Sequence, residues 1–196
     1  MTDLARAITT SRELAVWIAD RVGGVDLVPT DRKRCAAALI SVCMWHHSSI
    51  SQLLDLGRSA SALALVRSVI DCFARALWVA FLASDEDIEG FIGGDDGPSA
   101  LKIMDWLEQK DLLELGTASV VLRGIWPTIC DFNHGGGRMV VRHLTPTDIG
   151  PVFDDAELKA ALQIADRFVL GAACAFADLI ENRELGQLFL DKIEAP

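Results

Sequence analysis

No paired-cysteine spacing of the CxxC type occurs in this 196-residue chain, whose five cysteines are scattered at Cys35, Cys43, Cys72, Cys130 and Cys174. An odd number of thiols in apolar helical surroundings argues against a disulfide framework or a zinc knuckle. It fits reduced, buried side chains in a cytoplasmic protein. The chain has no P-loop, no glycine-rich dinucleotide turn after a strand and no GxSxG, which removes common signatures of nucleotide binding and serine hydrolysis. Repeats, low-complexity tracts and strand ladders are missing too. Positive charge is scarce: 18 Lys and Arg against 28 Asp and Glu give a formal net charge of −10. Such a chain repels polyphosphate at long range, so nucleic-acid binding would need a local basic patch. No uncharged apolar run reaches the roughly 18 residues that span a bilayer. The longest candidates, residues 35–45 and 168–177, are too short, and neither a membrane anchor nor a secretory leader is expected.

What the chain has in surplus is apolar surface. Hydrophobic residues make up 51% of it and the mean hydropathy is +0.31. A subunit interface is the expected destination, so a homodimer is expected. The most informative stretch is residues 59–83, SASALALVRSVIDCFARALWVAFLA, with neither Pro nor Gly. Leu63, Val66, Ile70, Phe73, Leu77 and Phe81 recur at helical spacing and predict a core helix. Arg67, Asp71 and Arg75 cut through it at i, i+4 and i+8. Charges in apolar surroundings need partners, so this row predicts a polar network.

Around it, caps and stops mark further helices. Residues 3–22 form one, ended by Gly23-Gly24. Thr30 or Asp31 starts another that runs to about Leu56, stopped by Gly57 and paired in a hairpin with the core helix. Ser84 and Ser99 cap two more. Thr117 opens a helix that Pro127 kinks or divides, and Asp154 or Asp155 caps a long last one. The expectation is an all-α, single-domain bundle of roughly six to eight helices spanning 1–196. Its core is about 30–182, with loops at 93–98 and 135–153 and a short tail at 183–196.

Reactive residue types gather in DFNHGGGRMVVRH, residues 131–143. His134 at a helix end suits a general acid–base, and Arg138 and Arg142 suit developing negative charge. Asp131 and His143 complete the cluster; a solvated helix end followed by a turn is the plainer reading. His46 and His47, adjacent on a helix, point about 100° apart. One is expected in a hydrogen-bonded core or interface and the other in water. A metal site would have to combine one of them with His134 and His143; no second acid-x-x-His motif accompanies Asp131 and His134, and no metal or cofactor is expected.

Arg138 and His143, with four residues between them, are similar to the Arg-x(4–6)-His signature of HEPN-type helical domains. The run LALVRSVIDCFARALWVAFL followed by DFNHGGG also looks like a group of uncharacterised bacterial helical proteins, over about residues 45–145, with Arg67, Asp71 and His134 as the matching positions. The resemblance implies a HEPN-like bundle, often a dimeric, metal-independent ribonuclease of toxin or phage-defence systems. His134, Arg138 and His143 would then be catalytic, supported by Arg67, Asp71, Arg75, Asp131 and Arg142, with RNA as substrate. The alternative is a non-enzymatic dimer that binds a partner protein or small ligand.

Overall fold

A computed structural model describes residues 2–26, 29–110 and 116–194. Those residues hold nine helices and no strand: α1 (Asp3–Val22), α2 (Asp31–Asp55), α3 (Ser59–Phe81), α4 (Asp85–Gly93), α5 (Ala100–Gln109), α6 (Gly116–His134), α7 (Gly137–Val141), α8 (Asp155–Leu179) and α9 (Arg183–Glu194). The all-α expectation holds. The count exceeds six to eight because the triple-glycine segment coils into α7 and the tail adds α9.

Caps fix most boundaries. Thr30 accepts from the Lys33 amide at 3.2 Å, and Ser84 and Asp87 form a reciprocal capping box. Gly57 turns the α2–α3 hairpin with φ +68°, a conformation that costs glycine little. The far end of α3 is closed from outside. Arg32 on α2 donates to the Val79 and Ala83 carbonyls at 2.7 and 2.8 Å and reaches Asp85 on α4 at 2.7 Å. Carbonyls that the helix end leaves unpaired thus receive a charged donor. Pro127 lies inside α6 without dividing it.

The central layer is α1, α2, α3 and α8. Lys33 reaches Glu181, just past α8, and His47 reaches Asp166, so α2 and α8 run antiparallel. Asp3 meets Lys159 and Ser11 meets Asp166, so α1 and α8 run parallel. The α3 row Leu63, Val66, Ile70, Phe73 and Leu77 is buried as its spacing predicts. Phe73 stands edge-on to Phe168 at 5.5 Å and over Gly171, where a β-carbon would lie 3.0 Å from its ring. Phe81, the last of the series, is exposed. Among the described residues α8 alone has the length and apolarity to cross a bilayer; it packs against α1, α2, α3 and α9. Phe189 on α9 closes one end of the bundle against Trp17, Leu14 and Leu170.

One polar cluster sits inside this layer. Ser11 on α1 and His47 on α2 are fully buried and meet Asp166 on α8. Ser11 Oγ donates to Asp166 Oδ1 at 2.6 Å. His47 Nε2 lies 2.7 Å from the same oxygen and 3.2 Å from Ser11 Oγ. With the serine proton given to Asp166, Nε2–H is the donor shared between them. This is not a nucleophilic triad. In a triad, serine and carboxylate occupy opposite ring nitrogens, whereas here both occupy Nε2 and no solvent reaches the hydroxyl. His46, its neighbour, is half-buried.

Two outcomes are expected. His47→Ala leaves a void and takes the imidazole donor away from Asp166 and Ser11, which keep only each other, and should cost about 2–4 kcal/mol in urea unfolding. Trp45→Ala, on the exposed face of the same helix, should cost less than about 0.5 kcal/mol; equal losses would deny the cluster its role. Burial pushes the Cys174 thiol up to about 11 and the Cys43 thiol higher still. At pH 8 both stay protonated, so iodoacetamide should label them more than roughly tenfold slower in folded than in urea-unfolded protein.

Candidate functional site

The row Arg67, Asp71, Arg75 lies on the side of α3 that faces α6. Arg67 and Asp71 keep 24% and 19% of their side-chain surface exposed, so the row is neither in open water nor sealed in the core. Arg67 Nε donates to Asp71 at 3.3 Å, and its Nη1 donates to His134 Nε2 at the end of α6. The guanidinium also stacks over Trp126, 5.5 Å from the ring centroid. Three of the residues that the sequence singles out, 67 residues apart along the chain at most, therefore converge. Trp126 joins them as an apolar backing that no motif signals.

The bonding decides what His134 can do. Arginine never accepts a hydrogen bond, so Nε2 must be the acceptor and the proton sits on Nδ1. As arranged, the exposed histidine offers a donor to a ligand oxygen. Its basic nitrogen is occupied, and abstracting a proton would first require Arg67 to leave. Arg75 does not join this group: it is half-buried, and its Nε is buried without a partner among the described residues. It acts on its neighbour instead, opposing the rise that burial imposes on the Cys72 thiol.

Past His134 the chain turns on Gly135, with φ +66°. Gly136 passes so close to Asp131 that a β-carbon would lie 3.0 Å from the aspartate Cα. The Asp131 carbonyl accepts from the Gly136 amide at 2.8 Å. Its carboxylate accepts from the Arg138 amide at 3.3 Å and from the Arg138 guanidinium at 3.2 Å. Asp131 thus ties the glycine turn to α7. Arg142 is bound elsewhere, to Glu157 on α8 at 2.7 Å. His143 sets Nδ1 3.1 Å from the Met139 carbonyl and its ring edge-on to Phe153 at 5.7 Å. Arg138 and His143 therefore have separate partners, and each arginine of the segment is already matched to a carboxylate.

The histidines do not assemble a metal centre. His47 is in the α1–α2–α8 interior, His134 ends α6 and His143 follows α7. Among the described residues no group of three or more His, Cys, Asp or Glu side chains is placed to hold a metal ion.

Gly136→Ala cannot be accommodated without moving the Asp131 backbone. It should strip amide-exchange protection from Met139 and Val140, whose amides bond to the Gly136 carbonyl. Gly124→Ala is the contrast: a β-carbon there meets nothing within 4 Å among the described residues. On a helix it should raise stability by about 0.5–1 kcal/mol, read as a Tm gain of about 2–3 °C.

No curated protein and no solved structure matches the chain. A family model does, over residues 40–193, a span that takes in α3, the glycine turn and every residue of the Arg67–Asp71–His134 group. The chain belongs to this family, a family of unknown function designated DUF6988.

Proposed function

We propose that this protein is a non-enzymatic, self-associating helical module, and that the face from α7 to the start of α8 binds a second copy of the chain. The observation that carries the reading is the apolar character of that face. Val140, Val141, Leu144, Ile149 and Val152 are each at least half exposed. The segment is held in shape rather than loose: Val152 N donates to the Arg142 carbonyl at 2.6 Å, Gly150 N donates to the His143 carbonyl at 3.0 Å, and Leu144 pairs with Ile149. A preformed apolar face of this kind is what a protein interface needs. The arginines beside it are matched by Asp131 and Glu157; this suits a desolvated contact and weakens attraction for a polyanion. Five free cysteines support residence in a reducing compartment such as the cytoplasm.

The test is mass in solution at about 20 µM, a concentration at which a standard interface persists. Wild type should run at about twice the 21.3 kDa of the chain. Val141→Glu with Ile149→Glu, both exposed in the single chain, should run as a folded monomer. A monomeric wild type would remove the proposal.

A HEPN-like ribonuclease is the second reading, favoured by the gathering of Arg67 and His134 close to the Asp131–Arg138 pair at the end of α6. In it, His134 or His143 is the base and Arg138 and Arg142 contact phosphate. RNA cleavage in the presence of EDTA, by wild type, His134→Ala and His143→Ala, separates the two. Activity that falls by roughly a hundredfold or more in either variant favours the nuclease, and an inert or unchanged set favours the module.

A further inference from the structure

We propose that a second site, the cleft between the end of α3, α4, the loop before α5 and α5 itself, binds a small organic ammonium ion. It goes beyond the self-association reading and does not depend on it. On α3 the cleft begins at Trp78, roughly 16 Å along the helix axis from Arg67 at about 1.5 Å per residue.

The cleft encloses about 720 Å³, inside the range of roughly 300–1,000 Å³ typical of small-molecule sites. Its apolar lining is Phe91, Trp106, Leu82 and Pro98, with the largely buried Trp78 as its floor. Trp78 and Phe91 stand edge to face at 5.6 Å and 86°. Gly97 lets the loop close on them: a β-carbon there would come within 3.0 Å of the Phe91 ring and 3.5 Å of Trp78. Around the aromatics stand four carboxylates, Glu86, Asp87, Asp95 and Asp96, against two ammonium groups, Lys102 and Lys110. Asp87 stays ionised well below the usual carboxylate range, because the Ser84 hydroxyl and amide both donate to it.

Aromatic faces beside surplus carboxylates select for a cation that also has hydrocarbon to bury. An anion would meet the four carboxylates, and a neutral apolar ligand would strip water from them with nothing in return. The chain itself supplies the precedent. Lys102 Nζ sits 4.7 Å from the Trp106 ring centroid, so one aromatic face already carries an ammonium. Lys102 is therefore an internal competitor that a ligand cation displaces.

Calorimetric titration of the full chain tests this with three probes: choline, spermidine, and 3,3-dimethylbutan-1-ol, the uncharged isostere of choline. Saturable binding of choline or spermidine is expected, with none by the alcohol, and which cation binds distinguishes a quaternary ammonium from a polyamine. Asp95→Asn with Asp96→Asn, both exposed loop positions, should weaken binding by roughly two- to fivefold, and Lys102→Gln should tighten it by a similar factor. A purely structural role for the cleft would not produce opposite shifts. The proposal is overturned if neither cation saturates by about 10 mM or if the alcohol binds as well as choline. It also falls if the aspartate variant binds like wild type or if Lys102→Gln fails to tighten.

Discussion

A histidine sealed between three helices constrains everything else in this bundle. A buried imidazole, hydroxyl and carboxylate are each costly alone, by about 1–3 kcal/mol or more per unpaired group. They are tolerated because α1, α2 and α8 deliver them to one point. Slipping α8 by one turn would part Asp166 from both partners, and slipping α1 or α2 would strand Ser11 or His47, so the cluster fixes register where apolar packing alone would allow alternatives. Asp166 keeps 21% of its side-chain surface exposed, so the carboxylate lies at the edge of the interior while the other two partners are fully enclosed. With that register set, the core side of α3 packs through apolar side chains, Leu63, Val66, Ile70, Phe73 and Leu77 among them, and the Cys43 thiol donates to the Val69 carbonyl at 3.4 Å.

The opposite side of α3 follows a different economy of charge. Arg67 bridges to α6 through His134 and Trp126, Arg138 returns to Asp131, and Arg142 crosses to α8 through Glu157. Arg138 and Arg142 are each matched to a carboxylate and Arg67 to Asp71, in a chain whose formal net charge is −10. The Asp131–Arg138 pair ties the glycine turn to α7 and Arg142–Glu157 ties the start of the 142–152 segment to α8, while backbone bonds from Gly150 and Val152 hold that segment in shape.

Much of the architecture was legible because it is encoded locally. Thr30, Ser84 and Ser99 cap helices where their hydroxyls fall before apolar periodicity, and Gly57 and Gly94 stop them in left-handed backbone. The meeting of Arg67, Asp71 and His134 was legible as a need: charges on an apolar helix require partners, and a histidine before a glycine triplet was a candidate. Its partner Trp126 was not, because a tryptophan on an amphipathic helix looks the same whether it backs a guanidinium or fills the core. Ser11 and Asp166 were illegible for another reason. They lie 36 and 119 residues from His47, and no local pattern distinguishes a serine aimed inward from one in solvent. Continuation of α6 through Pro127 likewise depends on neighbours, since proline removes one helical bond and the surrounding packing decides whether the helix survives.

Arg32 carries one more implication. It belongs to the first turn of α2, yet its guanidinium locks the corner where α3 ends and α4 begins, directly behind the aromatic cleft. The corner bordering that cleft is thus tied by a side chain from a helix that contributes nothing to its lining. Removing the guanidinium would untie the Asp85 end of α4 and leave two carbonyls at the end of α3 without their charged donor, while the buried Ile88 keeps α4 seated. The fastening of that corner therefore lies outside the recess, on a side chain that lines none of it.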